Sequence, residues 1–234
     1  MRIVGLQKMT LLDYPGKVAC TVFLGGCNFR CPFCHNGGLL DGAAPEMMTA
    51  AEFLNFLKKR QGLLDGVCVT GGEPTLSPEL PQLLSQIKEL GFAVKLDTNG
   101  SRPKVLKQLV EAGLVDYVAM DVKNSPDRYA ATTGLQAAPL EAVEESLGIL
   151  MEDKVGYELR TTVVRELHDE ASITEMGRWL YAHNGNQKIP NIFLQPFVNR
   201  DSVLDQNLHA PEKGEISRFV ELLYTFAENV AIRG

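Results

Sequence analysis

Three of the five cysteines in this 234-residue chain lie close together in the segment GCNFRCPFCHN. They are Cys27, Cys31 and Cys34. A structural zinc site usually has four protein ligands, whereas a metal centre with three protein ligands keeps one position open for chemistry. Two metal centres fit the segment: zinc held by these cysteines with His35 as the fourth ligand, and a four-iron cluster held by the cysteines alone, which would leave one iron open. The segment therefore predicts a metal centre.

The residues around the cysteines favour the cluster. His35 follows Cys34 directly, which makes it awkward for both to bind one metal ion, so we expect His35 to form hydrogen bonds within the loop. The short spacings suit a single tight loop whose N–H groups hydrogen-bond to cluster sulfurs. Cys20 and Cys68 lie inside apolar segments, and we expect them to be buried as small hydrophobic side chains.

The composition is that of a globular protein, and it argues against two classes of function. Hydrophobic residues make up 45% of the chain and the net charge is −6, whereas general nucleic-acid and membrane-surface binders present a basic face. The apolar stretch Val18–Leu24 before Cys27 is short for a signal sequence and is expected to be a buried strand. We therefore expect a cytoplasmic protein with reduced cysteines and no nucleic-acid or membrane partner.

Apolar runs alternate with helical patterns along the chain, which predicts an α/β fold. The predicted strands are Val18–Leu24, Gly66–Thr70, Ala93–Leu96, Tyr117–Asp121, Tyr157–Val164 and Asn191–Gln195. The predicted helices are Ala50–Lys59, Glu79–Leu90, Pro103–Ala112, Leu140–Met151, Ile173–His183 and Glu212–Asn229. Six successive strand–helix units imply parallel strands, in either an open doubly wound sheet or an incomplete barrel.

We expect one domain over residues 1–234. It would have a lead-in over residues 1–16, a core over about 17–200 and a C-terminal helix over about 212–229. Each predicted strand carries polar or glycine residues at its carboxyl end: Gly25–Cys27, Thr70–Pro74, Asp97–Gly100, Asp121–Lys123, Arg160 and Gln195–Pro196. Ligands of parallel α/β folds bind at that end of the strands. The pattern therefore predicts a single site ringed by the strand ends.

The cysteine spacing, with Phe33 before the last cysteine, resembles that of the radical S-adenosylmethionine (SAM) superfamily. The longer string from Tyr14–Lys17 through Phe23 to the cysteines is similar to its glycyl-radical-enzyme activating branch. The resemblance implies an incomplete (βα)6 TIM-like barrel of parallel strands, the radical SAM core. It also implies a [4Fe–4S] cluster whose open iron binds the amino and carboxylate groups of SAM. The reduced cluster then cleaves SAM to a 5′-deoxyadenosyl radical, which takes a hydrogen atom from the substrate.

The same resemblance gives further residues a role beside SAM. Together with the cysteines, the implied set is Phe33, Gly71, Gly72, Glu73, Asp97, Thr98, Asn99, Asp121, Lys123, Arg160 and Gln195. The backbone of the Gly-Gly-Glu run would receive the SAM amino group, and Asp97–Asn99 would lie near the amino group and ribose. Asp121 and Lys123 would hold the methionyl part, where a carboxylate suits an ammonium and a lysine suits a carboxylate.

Some of these residues could have a structural role instead of binding SAM. Asp121 and Lys123 could form an ordinary ion pair, and Arg160 could be a buried partner of Glu73 or Asp121. His168 is expected to be a loop histidine rather than a ligand. No histidine plainly matches the one that some activating enzymes use to hold the SAM carboxylate.

The resemblance also implies partners. They are a glycyl radical enzyme, for which anaerobic ribonucleotide reductase is the first expectation, and a flavodoxin or ferredoxin as electron donor. It further suggests a monovalent cation near Asp97 and Asp121. Two alternatives remain open: a radical SAM enzyme that acts on a small molecule or peptide, and a zinc-binding structural or interaction protein.

Overall fold

In a computed structural model, which describes residues 1–40 and 44–233, eight strands form one sheet. The strands are β1 (Ile3–Thr10), β2 (Ala19–Leu24), β3 (Gly66–Gly71), β4 (Ala93–Thr98), β5 (Tyr117–Asp121), β6 (Gly156–Val163), β7 (Ile189–Pro196) and β8 (Ala227–Ile232). The helices are α1 (Ala50–Lys58), α2 (Leu80–Glu89), α3 (Pro103–Glu111), α4 (Tyr129–Thr133), α5 (Leu140–Met151), α6 (Glu170–His183) and α7 (Lys213–Leu223).

The order of the strands in the sheet follows their order in the chain, from β1 to β8. Every neighbouring pair from β2 to β8 is parallel, whereas β1 runs antiparallel to β2. A doubly wound sheet reverses its strand order at a switch point. The uninterrupted order therefore identifies the incomplete barrel, of the two architectures that the sequence left open. The predicted α/β fold class is confirmed.

The sheet has two more strands than the six predicted, one at each end. Strand β1 lies within the segment that was expected to be only a lead-in. At the other end, the predicted helix over 212–229 is wrong in its second half, because α7 ends at Leu223 and β8 follows. Ala227 and Val230 are buried, and Ala227 pairs with Ile189 of β7. Pairing with the sheet edge, which no local pattern reports, overrides the helical periodicity there.

The region between β5 and α5 is also more ordered than the sequence indicates. A short 3-10 turn over Pro126–Arg128 leads directly into α4. The backbone N–H of Arg30 donates to the carbonyl of Thr133 at 2.9 Å. Helix α4 is therefore hydrogen-bonded to the cysteine segment through its last residue.

Successive side chains of a strand lie on opposite faces of the sheet, and this places several charged side chains on its inner face. On β4, Val94 and Leu96 belong to the hydrophobic core, so Lys95 and Asp97 point to the opposite face. On β6, Leu159 and Val163 are core residues and Arg160 points inward in the same way. The core thus lies between the sheet and its helices, and the inner face is polar. Within the described residues, no helix is long and apolar enough to cross a membrane.

Candidate active site

A pocket of about 220 Å³ lies at the carboxyl ends of the strands, as the sequence predicts. Every predicted site residue except Glu73 lines it: Cys27, Cys31, Phe33, Cys34, Gly71, Gly72, Asp97, Thr98, Asn99, Asp121, Lys123, Arg160 and Gln195. These residues come from the cysteine segment and from five strand ends. One site therefore collects residues that are up to 168 positions apart in the sequence (195 − 27).

The cysteine segment is a loop that follows β2 and folds back on itself. The N–H of Cys34 donates to the carbonyl of Cys31 at 3.0 Å, and the N–H of Phe29 donates to the sulfur of Cys27 at 3.4 Å. The side-chain amide of Asn99 also approaches the Cys27 sulfur, with Nδ2 at 3.9 Å. These donors suit a thiolate, since hydrogen bonds to the charged form of a group favour it.

Burial raises the pKa of all three thiols, and it raises that of Cys31 to about 11. The nearby ammonium of Lys123 acts in the opposite direction on each of them. Metal ligands must be thiolates, so metal loading here would release protons. No three His, Cys, Asp or Glu side chains in the described part of the chain form a group suited to a single metal ion.

The two cysteines that were expected to be structural lie away from the pocket. Cys20 and Cys68 are fully buried and neither lines the pocket. Burial raises the pKa of the Cys20 thiol to about 12 and that of Cys68 well above its ordinary value. Both side chains are therefore neutral thiols in the interior.

Glycines at the end of β3 let it pack against the start of the cysteine loop. A Cβ atom on Gly72 would lie 2.0 Å from the carbonyl oxygen of Gly26. The N–H groups of Gly72 and Glu73 donate to the carbonyls of Leu24 and Gly26, at 2.9 and 2.8 Å. An ammonium group is a hydrogen-bond donor, so the backbone of this run would receive one through its carbonyl oxygens.

The Glu73 side chain lies behind the pocket wall rather than in it. Its carboxylate is 2% exposed and accepts the hydroxyl of Thr98 at 2.8 Å and the N–H of Asn99 at 2.7 Å. It also accepts the N–H and the hydroxyl of Thr75. Burial raises the pKa of Glu73, and these donors oppose that effect. Glu73 therefore holds the ends of β3 and β4 together.

Arg160 joins the two aspartates of the pocket. Its guanidinium lies 3.2 Å from Oδ2 of Asp97 and 3.0 Å from Oδ1 of Asp121. Lys123 pairs with Asp121 at 2.9 Å, and Lys95 pairs with Asp97. The five side chains form a row of alternating charge, which we term the charge row. Arg160 is thus a partly buried partner of Asp121, as one of the two sequence interpretations has it, and it also lines the pocket.

The charge row keeps both aspartates ionised. Burial alone would raise the pKa of Asp121, but Lys123 and Arg160 outweigh it and lower that pKa to about 2. Burial would raise the pKa of Asp97 as well, but Arg160 and Lys95 outweigh it and lower that pKa. The Arg160 guanidinium bridges the two aspartates, near which the resemblance suggested a monovalent cation.

His35 forms hydrogen bonds within the site's outer wall, as expected from its position. Its ring nitrogen Nε2 lies 2.6 Å from the carbonyl oxygen of Val198, and its ring stacks on Phe197. The hydroxyl of Ser202 donates to the His35 carbonyl at 2.8 Å. A Cβ atom on Gly37 would lie 2.6 Å from the Ser202 carbonyl. The loop after β7 thus packs tightly against the cysteine loop.

His168 is a buried loop histidine, as predicted, and it orients Lys123. Its Nδ1 accepts the N–H of Val164 at 3.1 Å, which leaves the proton on Nε2 to donate to the Lys123 carbonyl at 2.9 Å. Burial lowers the pKa of His168. The neutral ring therefore fixes the backbone that carries Lys123.

Several residues of the site were not predicted. They are Phe29, Asn36, Leu40 and Thr162, which line the pocket, and Lys95, which pairs with Asp97 but does not line it. The period of two along a strand could have identified Thr162 and Lys95, because each shares a face with a predicted residue. Asn36 donates to the carbonyl of Gly71 at 2.9 Å, a contact across 35 residues that leaves no local signal.

Comparisons with known proteins show which family the chain resembles. A family model described as the Radical SAM superfamily matches residues 21–173. A protein of Methanocaldococcus jannaschii named "Putative glycyl-radical enzyme activating enzyme" is 31% identical over 242 residues, which cover 99% of this chain and 95% of that protein. The pyruvate formate-lyase-activating enzyme of Clostridium pasteurianum is 34% identical over 139 residues, which cover 57% of each chain.

A solved structure supports the fold. A domain of pyruvate-formate lyase-activating enzyme from Bacteroides vulgatus superposes with a TM-score of 0.57 at 20% sequence identity. The superposition covers 72% of this chain and 99% of the other. At this identity, the likeness concerns the arrangement of strands and helices.

Proposed function

This chain belongs to the radical SAM superfamily, and on that premise we propose that it is an activating enzyme for a glycyl radical enzyme. It would take a hydrogen atom from a glycine residue of that partner. The observation that carries the proposal is the pocket, in which three cysteines meet the polar ends of five strands. The alignment with a named activating enzyme over nearly the whole of both chains supports it.

The residues present fit a four-iron cluster held at three positions. Cys27, Cys31 and Cys34 supply the soft thiolate ligands that iron–sulfur clusters take, and the Phe29 and Asn99 nitrogens already point at one of their sulfurs. With SAM bound at its open iron, the reduced cluster would supply the hydrogen-abstracting chemistry. The protein's part is to orient SAM and to exclude competing reactions.

The charge row and the end of β3 would orient SAM. The Lys123 ammonium donates to Asp121, and since an ammonium carries three N–H groups it can also donate to a ligand carboxylate in the pocket. Arg160 lines the same pocket and offers further N–H groups. Gly71 also lines the pocket, and its carbonyl, which accepts from Asn36 at 2.9 Å, has a second lone pair with which it would accept the amino group.

We propose anaerobic ribonucleotide reductase as the partner and a flavodoxin or ferredoxin as the electron donor. Both proposals rest on the likeness of the segment from Tyr14 to Asn36 to the activating branch of the family. The alternatives, a small-molecule or peptide substrate and a zinc-binding protein, predict different outcomes of the same experiment.

The test uses anaerobically reconstituted protein, SAM and a reductant. It is mixed with each glycyl radical enzyme encoded in the same genome, and the mixture is examined by electron paramagnetic resonance (EPR) spectroscopy. We expect a glycyl radical signal with one partner, and we expect the Cys31→Ala variant to give none. The Cys20→Ala variant removes a buried cysteine outside the pocket and should keep activity. Failure with every partner, with SAM still cleaved, would favour another substrate; a zinc-loaded protein without iron would overturn the proposal.

A further inference from the structure

Lys95 forms the inner end of the charge row and is 1% exposed. It lies two residues before Asp97 on β4, so both side chains share the inner face of the sheet. Its ammonium pairs with Asp97 and lies 3.9 Å from the sulfur of Cys68. Lys95 does not line the pocket. It therefore approaches Asp97 from the interior side, away from the ligand.

All four carboxylate oxygens of Asp97 and Asp121 accept hydrogen bonds from cationic side chains. Oδ1 of Asp97 accepts from Lys95 and its Oδ2 accepts from Arg160. Oδ1 of Asp121 accepts from Arg160, and its Oδ2 accepts from Lys123. Three positive side chains thus face two negative ones. The row is fully paired and carries a surplus of one positive charge.

These residues do not fit the monovalent metal ion that the family resemblance suggests. Such an ion needs oxygen ligands, and each of these carboxylate oxygens already accepts from a positively charged side chain, which would repel a metal ion bound to the same oxygen. A further positive charge would also be repelled by the surplus charge of the row, in a site where burial weakens the screening by water.

We propose that Lys95 is a built-in cation that takes the place of a monovalent metal ion at Asp97. It is a positioning residue: it neutralises and fixes Asp97, which leaves Arg160 oriented toward the pocket. The inference rests on the proposed function, because SAM is the ligand whose binding it concerns. It follows that SAM binding by this protein does not depend on potassium or sodium ions.

The test measures SAM affinity of the reconstituted protein by equilibrium dialysis. Choline chloride, potassium chloride and sodium chloride are compared at equal ionic strength. We expect the three dissociation constants to agree within about twofold, well below the effect of losing a buried charge partner. A gain of about tenfold with potassium or sodium over choline would overturn the inference, since an ion pair formed within the chain needs no added salt.

The Lys95→Met variant tests the residue itself. Removing the ammonium leaves Asp97 with a vacant oxygen, so we expect about tenfold weaker SAM binding in choline and partial recovery with potassium. The matched control is Lys88→Met, because Lys88 forms an exposed ion pair with Asp116 at 2.6 Å, outside the pocket. Unchanged binding by Lys95→Met in choline would overturn the inference.

Three further results test the inference. If Lys95→Met does not fold, Lys95→Arg, which keeps the charge, is expected to bind SAM without added potassium, and a potassium requirement in that variant would count against the inference. Failure of the unaltered protein to bind SAM in any of the three salts would overturn the proposed function and this inference with it. SAM binding that requires potassium would overturn the inference alone.

Discussion

The carboxylate of Glu73 accepts the backbone N–H of Asn99 at 2.7 Å, although 26 residues separate them. This bond joins the carboxyl ends of β3 and β4 directly behind the pocket. It also fixes the backbone from which the Asn99 side chain reaches the Cys27 sulfur. The glutamate of the Gly-Gly-Glu run therefore shapes the site from outside it.

We expect Glu73→Gln to lower the free energy of unfolding by about 1–3 kcal/mol, because an amide nitrogen would face a backbone or hydroxyl donor. The change should appear as a lower midpoint in anaerobic urea unfolding. Glu89→Gln is the matched control, since Glu89 lies at the end of α2 and is bonded only to Ser85 among the hydrogen bonds of the described residues. Equal midpoints for the two variants would contradict this role of Glu73.

The close contact of Gly72 with Gly26 gives a second prediction. A Cβ atom at residue 72 would meet a backbone oxygen that cannot move without shifting the cysteine loop. We expect Gly72→Ala to cost at least about 1–3 kcal/mol of unfolding free energy and to lower iron uptake during reconstitution. Gly148→Ala is the control: a Cβ there meets nothing within 4 Å in α5, and it should stabilise the protein by about 0.5–1 kcal/mol. Normal iron uptake by Gly72→Ala would refute the argument.

Burial of His168 predicts a pH dependence of stability. Its pKa is lowered below the ordinary value of 6.5. At pH values near and just below 6.5, the unfolded chain therefore binds the proton more readily than the folded protein. Stability from this group is present above pH 6.5 and is lost as the pH falls below it. We expect the melting temperature to fall less between about pH 7.5 and 5.5 in His168→Gln than in the unaltered protein.

The control for this measurement is His209→Gln, because His209 is exposed, with 68% of its side chain accessible. The two variants are compared over the same pH range. If the melting temperature of His168→Gln falls as much as that of the unaltered protein, the neutral, buried state assigned to His168 is wrong.

Arg160 provides the fourth prediction. Replacing it with methionine leaves Asp97 and Asp121 facing each other without the guanidinium that joins them. We expect Arg160→Met to weaken SAM binding about tenfold or more, because a partner of a buried charge pair is lost. Arg218→Met removes an exposed arginine that pairs with Glu221 at 2.9 Å and should bind SAM normally. SAM affinity retained by Arg160→Met would show that the charge row does not orient the ligand.

Features that depend on short sequence patterns could be predicted from the sequence, whereas features that depend on contacts between distant residues could not. The cysteine spacing and the polar strand ends are short patterns, and the structure brings them together because parallel strands end at one edge. Lys95 was missed because a fully buried lysine is rare. The pairing of Asp97 with Arg160, which lies 63 residues away, has no local sequence signal. The segment that forms β8 was predicted to be helical because its pairing with β7 has no local sequence signal.

The most direct test of the central claim is made on anaerobically reconstituted protein. Iron and sulfide are measured first, and then the EPR spectrum of the reduced protein is recorded with and without SAM. We predict about four irons per chain, as for a four-iron cluster, and a spectrum that changes when SAM is added. Zinc in place of iron, or an EPR spectrum that does not change when SAM is added, would contradict the claim that three cysteines hold an open, SAM-binding cluster.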